Sequence, residues 1–195
     1  MKFDLPLILA SQSPRRRELL EQAGYKFEVI LPSPEAECGK CSGESPVDLV
    51  ARLAMQKAKD VAIRTEEGIV IGCDTVAECM GQILGKPEHR DHASEMLRLM
   101  SGRTHHVFSG LCIWKRPGDE PVIRVDATRL RMDELSSDSI ESYLDTDLWV
   151  GKAGGFGFQD GLDWVHIEDG SESNVVGLPM ELLDEMLREM FPAES

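Results

Sequence analysis

The sequence has no apolar run approaching the ~20 residues a bilayer-spanning helix needs, so no membrane partner is expected. It is also short of cations: 21 Lys and Arg stand against 35 Asp and Glu, a formal net charge of −14. A chain that acidic repels phosphate backbones, which argues against a broad nucleic-acid-binding face. Internal repeats, low-complexity tracts and linkers are missing too. At roughly 150 residues per domain, the 195 residues are therefore expected to form one domain over 1–195, built as two intimate lobes. No GxSxG, Walker loop or GxGxxG occurs, which removes the short signatures of several enzyme classes. The N-terminal stretch Leu5–Ala10 is too short an apolar core for an export signal and lacks a cleavage pattern, so a cytoplasmic location is expected. Five cysteines is an odd number. Cys73, Cys79 and Cys112 lie in apolar, strand-like contexts that suit reduced, buried thiols better than a disulfide framework. Cys38-Gly39-Lys40-Cys41 is a CxxC with no second CxxC to complete a four-sulfur site; a structural pair, a zinc half-site and a redox pair all remain open.

What is present is a mixture of strands and helices without strict alternation, which predicts an α/β fold on a mixed sheet. Leu7–Ala10 reads as a short strand. Ser13-Pro14 supplies the N-cap and first position of a helix that Gly24 stops. A strand over Phe27–Leu31 and an irregular segment follow. Ser45-Pro46-Val47-Asp48 then opens a long helix with an apolar stripe through Val50, Ala54, Ala58 and Val61. Ile69–Cys73 reads as a buried strand ending at Asp74, and Met80-Gly81 as the two-residue turn of a hairpin leading to Gly85-Lys86-Pro87. Helices are expected over Glu88–Met100, around Ile140–Leu144 and over Pro179–Met190. Strands are expected around His106–Trp114, Val122–Arg131 and Trp164–Ile167.

Chemistry concentrates in four places. Arg15, Arg16 and Arg17 crowd the first turn of a helix, where cations are unfavourable by a few tenths of a kcal/mol each unless an anion sits there. Backbone N–H groups, the Ser11 and Ser13 hydroxyls and guanidinium forks make a phosphate cradle. Lys57 falls at the edge of the long helix's apolar stripe, a position from which an ammonium either snorkels or points into a cleft. Asp74 stands at the tip of a buried strand, where α/β sheets place their ligands. A Met80-Gly81 turn pairs positions summing to 161, so Thr75 is expected to face Lys86 with Asp74 beside them. The stretch Lys152–Asp160 carries three glycines that let backbone approach a ligand, Phe156 and Phe158 to stack on a base, and Gln159 to read a base edge. His89 and His92 lack a third convergent ligand and read as a solvated helix face; His105 and His106 alternate across a strand and cannot share one site.

Together these segments resemble the Maf family of nucleoside triphosphate pyrophosphatases over nearly the whole chain. The resemblance is carried by Leu9–Arg16, Arg52–Ala58, Gly72–Val76, Gly85–Pro87, Ser101–His105, Lys152–Gly154 and Val176–Pro179. It implies a two-lobed fold related to the inosine triphosphatases, with a central cleft. It also implies cleavage of a nucleoside triphosphate substrate to monophosphate and diphosphate with a divalent metal cation, Mg²⁺ or Mn²⁺, and homodimers are common among such proteins. Carried over position by position, Asp74 is the proton acceptor and a metal ligand, and Ser11, Arg16, Lys57 and Lys86 line the phosphate site, with Lys152 also contacting substrate. Arg15, Thr75 and Gln159 fall on specificity positions and look like the dTTP/UTP-directed subgroup. The subgroup acting on 7-methyl-GTP carries a bulky aromatic, Gln and Glu there.

Two stretches depart from the family pattern. Cys38 stands where a second acid is expected, which leaves Glu37 as the metal-facing acid, and Phe156 replaces a tyrosine. Three readings follow: a pyrophosphatase acting on dTTP/UTP or on other nucleotides including 7-methyl-GTP; a non-catalytic nucleotide sensor in division control; and a redox or zinc module on Cys38 and Cys41.

Overall fold

In the computed structural model, which describes residues 4–37, 43–118 and 120–192, both Ser-Pro starts open helices, α1 over Pro14–Gln22 and α2 over Pro46–Ala62. Ser45 caps α2 by accepting from the Asp48 N–H. Ser13 makes no such bond; its own N–H donates to Ser11 Oγ instead, 3.2 Å away. The Cys38–Cys41 pair lies outside the described residues, as does the side chain of Glu37.

One seven-stranded mixed sheet carries the molecule. Strands β1 (Leu7–Ala10), β2 (Phe27–Val29) and β3 (Gly68–Cys79) run parallel in the order β2-β1-β3. β4 (Gln82–Leu84), β5 (Thr104–Arg116), β6 (Val122–Met132) and β7 (Val165–Asp169) complete it antiparallel. Helices α3 (Arg90–Met100), α4 (Ser137–Leu144), α5 (Glu172–Val176) and α6 (Met180–Met190) cover its faces. The short α5 is not among the sequence expectations, and the second strand stops at Val29 rather than Leu31.

The strand expected to end at Asp74 runs on to Cys79, which makes Asp74 a mid-strand residue and corrects its expected place at a strand tip. The reason is a change of partner. On one edge, β3 pairs with β1 as far as Gly72, then with β4 from Ala77, and the hairpin register does sum to 161. The β3–β4 ladder ends at Ala77 and Leu84, so Thr75 and Lys86 are not paired strand residues; the strand partner of Thr75 is Ser109, on the opposite edge with β5. Residues 73–76 thus have a neighbouring strand on the β5 side only, and the sheet has a notch there.

Hydrophobic clusters lie on both faces of the sheet and past the notch. On one face, Leu9, Ile69, Ile71, Leu111 and Ile113 pack with Leu20 of α1 and Leu183 and Leu187 of α6. On the other, Ile8, Val70 and Cys112 meet Ala54, Ala58 and Val61 of α2. Past the notch, a separate cluster joins Ala77, Cys79 and Val107 to Met96 and Met100 of α3 and Ile140 and Leu144 of α4. Cys73, Cys79 and Cys112 are free and buried, as expected, and burial pushes the Cys112 thiol up to about 12.

The distal cluster also buries His105, edge-on against Phe156 with ring centroids 5.5 Å apart. Burial pulls its imidazole from 6.5 down to about 4, against a smaller upward pull from the Arg103 backbone. The unfolded chain takes up this proton near pH 6.5 and the folded one only near 4, so the stability held above pH 6.5 is lost as pH falls through that window. The loss amounts to roughly 3 kcal/mol from this one ring. Urea titrations at pH 7.0 and 4.5 are expected to show a markedly smaller acid loss for His105→Leu than for the wild type; equal losses would remove the assignment.

Candidate active site

The notch opens into a cleft of about 340 Å³. Nine of the ten residues that the family resemblance assigns to a site line it: Ser11, Arg15, Arg16, Lys57, Asp74, Thr75, Lys86, Lys152 and Gln159. The tenth, Glu37, closes a 3-10 turn at Pro34–Glu37, and its side chain is outside the described part.

Side-chain alternation would send Asp74 and Thr75 to opposite faces of the sheet. Both reach the cleft because the notch exposes both faces at once. Asp74 lies on the α2 face, where Lys57 Nζ donates to its Oδ1 at 2.6 Å. That contact depends on how closely α2 lies on the sheet. A Cβ at Gly72 would sit 2.3 Å from the Ala54 carbonyl, and one at Gly110 would sit 2.1 Å from that of Val50. Only glycine at these paired-strand positions lets helix backbone touch strand backbone, and the buried Lys57 is brought onto Asp74 as a result.

Arg16, buried although it is a charged first-turn residue, is the hub of the other wall. Its Nε donates to the Gly177 carbonyl at 2.7 Å, Nη1 to Ser11 Oγ at 3.1 Å and Nη2 to Thr75 Oγ1 at 3.2 Å. Arg15 reaches across the cleft and donates to the Gly151 carbonyl at 3.1 Å. Burial first, and the neighbouring Arg16 second, hold the Arg15 guanidinium below its ordinary pKa. Among the described residues both guanidiniums are bonded to neutral oxygens alone. Two desolvated cations side by side without a bonded carboxylate form a strong anion site.

The remaining candidates divide. Lys152 lines the cleft, but its ammonium is paired with Asp160, in space that a Cβ on Gly157 would fill. Phe156 is buried against His105 and Phe158 packs on the distal cluster, so both rings belong to the wall and neither stands out as a free stacking surface. His89 caps α3 and is exposed, while His92 is half-buried beside it. Sequence reading missed Ser109 and Gly110; the signal that finds them is the β3–β5 register, which sets them opposite Thr75 and Asp74.

A model of the family described as Maf-like protein matches residues 6–190. The chain belongs to the Maf-like family. A Rhodopirellula baltica protein named dTTP/UTP pyrophosphatase is 56% identical over 182 residues, covering 93% of this chain and 80% of that one. A Bacillus anthracis protein of the same name is 41% identical over 184 residues, 94% of each. Among solved structures, the Staphylococcus aureus Ham1 protein superposes with a TM-score of 0.53 at 11% identity over 95% of this chain and 99% of that one. A HAM1 protein from Coxiella burnetii gives 0.50 at 15% identity over the same shares. At such identities the likeness concerns the fold alone, and it bears out the mixed α/β architecture expected for a Maf-like chain.

The family implies a divalent cation. Among the described residues no group of three or more His, Cys, Asp or Glu converges. Asp74 is the one carboxylate among the described residues of the cleft wall. One carboxylate joined by substrate phosphates and water is the all-oxygen set that Mg²⁺ and Mn²⁺ accept, so the residues present fit such an ion brought with the substrate.

Proposed function

We propose that this Maf-like chain is a nucleoside triphosphate pyrophosphatase that splits a (d)NTP between the α- and β-phosphates, with dTTP and UTP as preferred substrates. The observation that carries the reading is the Arg15–Arg16 pair, desolvated in the cleft wall and bonded to neutral oxygens, beside a carboxylate held by a lysine. Such a cleft draws in a polyanion despite the global charge of −14. Arg16 and Ser11 hold phosphate oxygens, with Lys86 at the rim. Lys57 engages Oδ1 of Asp74, which leaves Oδ2 as the atom that takes the proton of the water attacking the α-phosphate. Asp74 would also hold the divalent cation, Mg²⁺ or Mn²⁺, which when bound screens phosphate charge. Transfer of this kind depends on positioning and charge neutralisation, so no covalent nucleophile is needed.

Arg15, Thr75 and Gln159 around the cleft support the pyrimidine preference, as do the names of the relatives above. The unbroken sheet running through both lobes supports reading the chain as one domain. No helix among the described residues is long and apolar enough to cross a membrane, and a cytoplasmic enzyme acting on the free nucleotide pool suits the reading.

Diphosphate release across a panel of nucleoside triphosphates including 7-methyl-GTP, with and without a chelator, tests it. The expected result is metal-dependent turnover that is highest for dTTP and UTP. Tight binding without diphosphate release would support the sensor reading, and a preference for 7-methyl-GTP the other subgroup.

A further inference from the structure

Of the three bonds that hold Arg16, the shortest runs from Nε to the Gly177 carbonyl at 2.7 Å. A guanidinium has five N–H donors, so one proton remains on each Nη, the pair that grips two oxygens of one phosphate. Where that fork points depends on where Gly177 is held. Gly177 and Leu178 donate to the Ser173 carbonyl at 3.1 and 3.0 Å, which ties this corner to the end of α5. The φ of +125° at Gly177 is one that glycine alone adopts readily.

α5 is only five residues long, too short to hold its place by helix propensity. The side chain that fastens it to the sheet is Asn174. Fully buried, it donates through Nδ2 to the Val107 carbonyl on β5 at 3.1 Å and to Thr128 Oγ1 on β6 at 2.9 Å. The amide has one possible orientation, because a carbonyl only accepts and the nitrogen must face it. Its Oδ1 has no partner among the described residues, so the donor end alone does the anchoring. Thr128 is equally determined. Its Oγ1 also accepts from the Ser171 N–H at 3.1 Å and gives its proton to the Ser171 carbonyl at 3.1 Å, so both lone pairs and the proton are matched.

We infer that Asn174 and Thr128 are positioning residues for Arg16: by pinning α5 to β5 and β6, they hold the Gly177 carbonyl where it turns the guanidinium fork into the cleft. Neither side chain lines the cleft itself. Their effect on ligand binding rests on the polyphosphate reading above and deepens it. Without the pin, α5 shifts, the carbonyl leaves Nε and the fork loses its aim.

The test uses Thr128→Val, which keeps the shape and removes the hydroxyl, Thr128→Ser, which keeps the hydroxyl, and Asn174→Ala. Two quantities are read in each. One is the solvent exchange of the Arg16 Nε–H by ¹H–¹⁵N NMR, its signal identified by its loss in Arg16→Lys. The other is the calorimetric affinity for inorganic triphosphate with a chelator present. In the wild type this buried N–H is expected to exchange slowly. Thr128→Val and Asn174→Ala are expected to speed the exchange and weaken triphosphate binding, each roughly tenfold, the size of one misaimed charge-assisted bond, while Thr128→Ser preserves both. A merely structural role lowers the melting temperature but leaves the Arg16 signal and the affinity of the folded molecules as they were. Exchange as slow in folded Thr128→Val as in the wild type overturns the inference alone, and so does an unchanged affinity or a freely exchanging wild-type Nε–H. A wild type that binds no triphosphate overturns the functional reading instead, and the Arg16 exchange still decides whether Asn174 and Thr128 hold that side chain.

Discussion

Replacing Asp74 by Asn is expected to lower kcat for diphosphate release about a thousandfold while the protein stays folded and keeps its metal-free nucleotide affinity. A positioned general base contributes ~10²–10⁴ in rate, and the amide cannot take the proton. The exchange preserves size, and an amide oxygen still accepts the Lys57 Nζ hydrogen bond that now spans 2.6 Å to Oδ1. The geometry is therefore kept, and what is lost is the capacity to accept a proton together with the negative charge that would hold the cation. Nucleotide binding measured in the presence of a chelator is expected to hold or tighten, because one negative charge beside the phosphates is gone. Single-turnover kinetics with dTTP, a binding isotherm and a thermal melt separate these effects. A folded Asp74→Asn variant with near-wild-type turnover would sink the assignment of Asp74 as base.

The second large effect lies in packing. Gly72→Ala puts a Cβ 2.3 Å from the Ala54 carbonyl and 2.7 Å from the Ala58 nitrogen, both backbone atoms of α2 that cannot rotate away. The helix must lift off the sheet by on the order of 1 Å, and overpacking of this sort costs about 3 kcal/mol or more. For a chain of this size that is a fall in Tm of roughly 6–12 °C. Activity is expected to fall further than stability explains, because the lifted helix carries Lys57 away from Asp74, and misplacement by ~1 Å costs on the order of a hundredfold. Gly81→Ala is the control. It sits at positive φ in the β3–β4 turn with no atom within 4 Å of its Cβ, so only backbone strain of about 1 kcal/mol is expected there. Equal melts for the two variants would contradict the account of how α2 is seated.

Much of this is legible in the chain itself, for identifiable reasons. The Ser-Pro helix starts, the apolar stripes of α2 and α3 and the Met80-Gly81 turn are local signals, set by residues a few positions apart. The crowding of arginines in the first turn of α1 points to an anion because cations there oppose the helix dipole unless something negative is bound. The differences fall where distant segments decide. The sequence suggests a strand tip at Asp74 because apolar continuity breaks there; the chain in fact stays extended and exchanges β1 for β4 as its partner. Lys152 reads as a cation for substrate because Asp160, eight residues on, comes back to it only through the 3-10 turns. Phe156 and Phe158 look available for stacking because a sequence does not say which side of a loop meets a core.

The sequence by itself determined most of the elements, though not α5 or the length of β3, together with their order, the inventory of cations and the acid at Asp74, since each depends on covalent neighbours and short-range periodicity. The tertiary structure alone decided that β3 is bare on one edge over residues 73–76, that α2 touches the sheet at Gly72 and Gly110, and that Ser109 and the Gly177 carbonyl orient Thr75 and Arg16. Those outcomes depend on strand register and on backbone approaching backbone across long separations in the chain, and no local pattern encodes which of two compatible partners a strand edge will take.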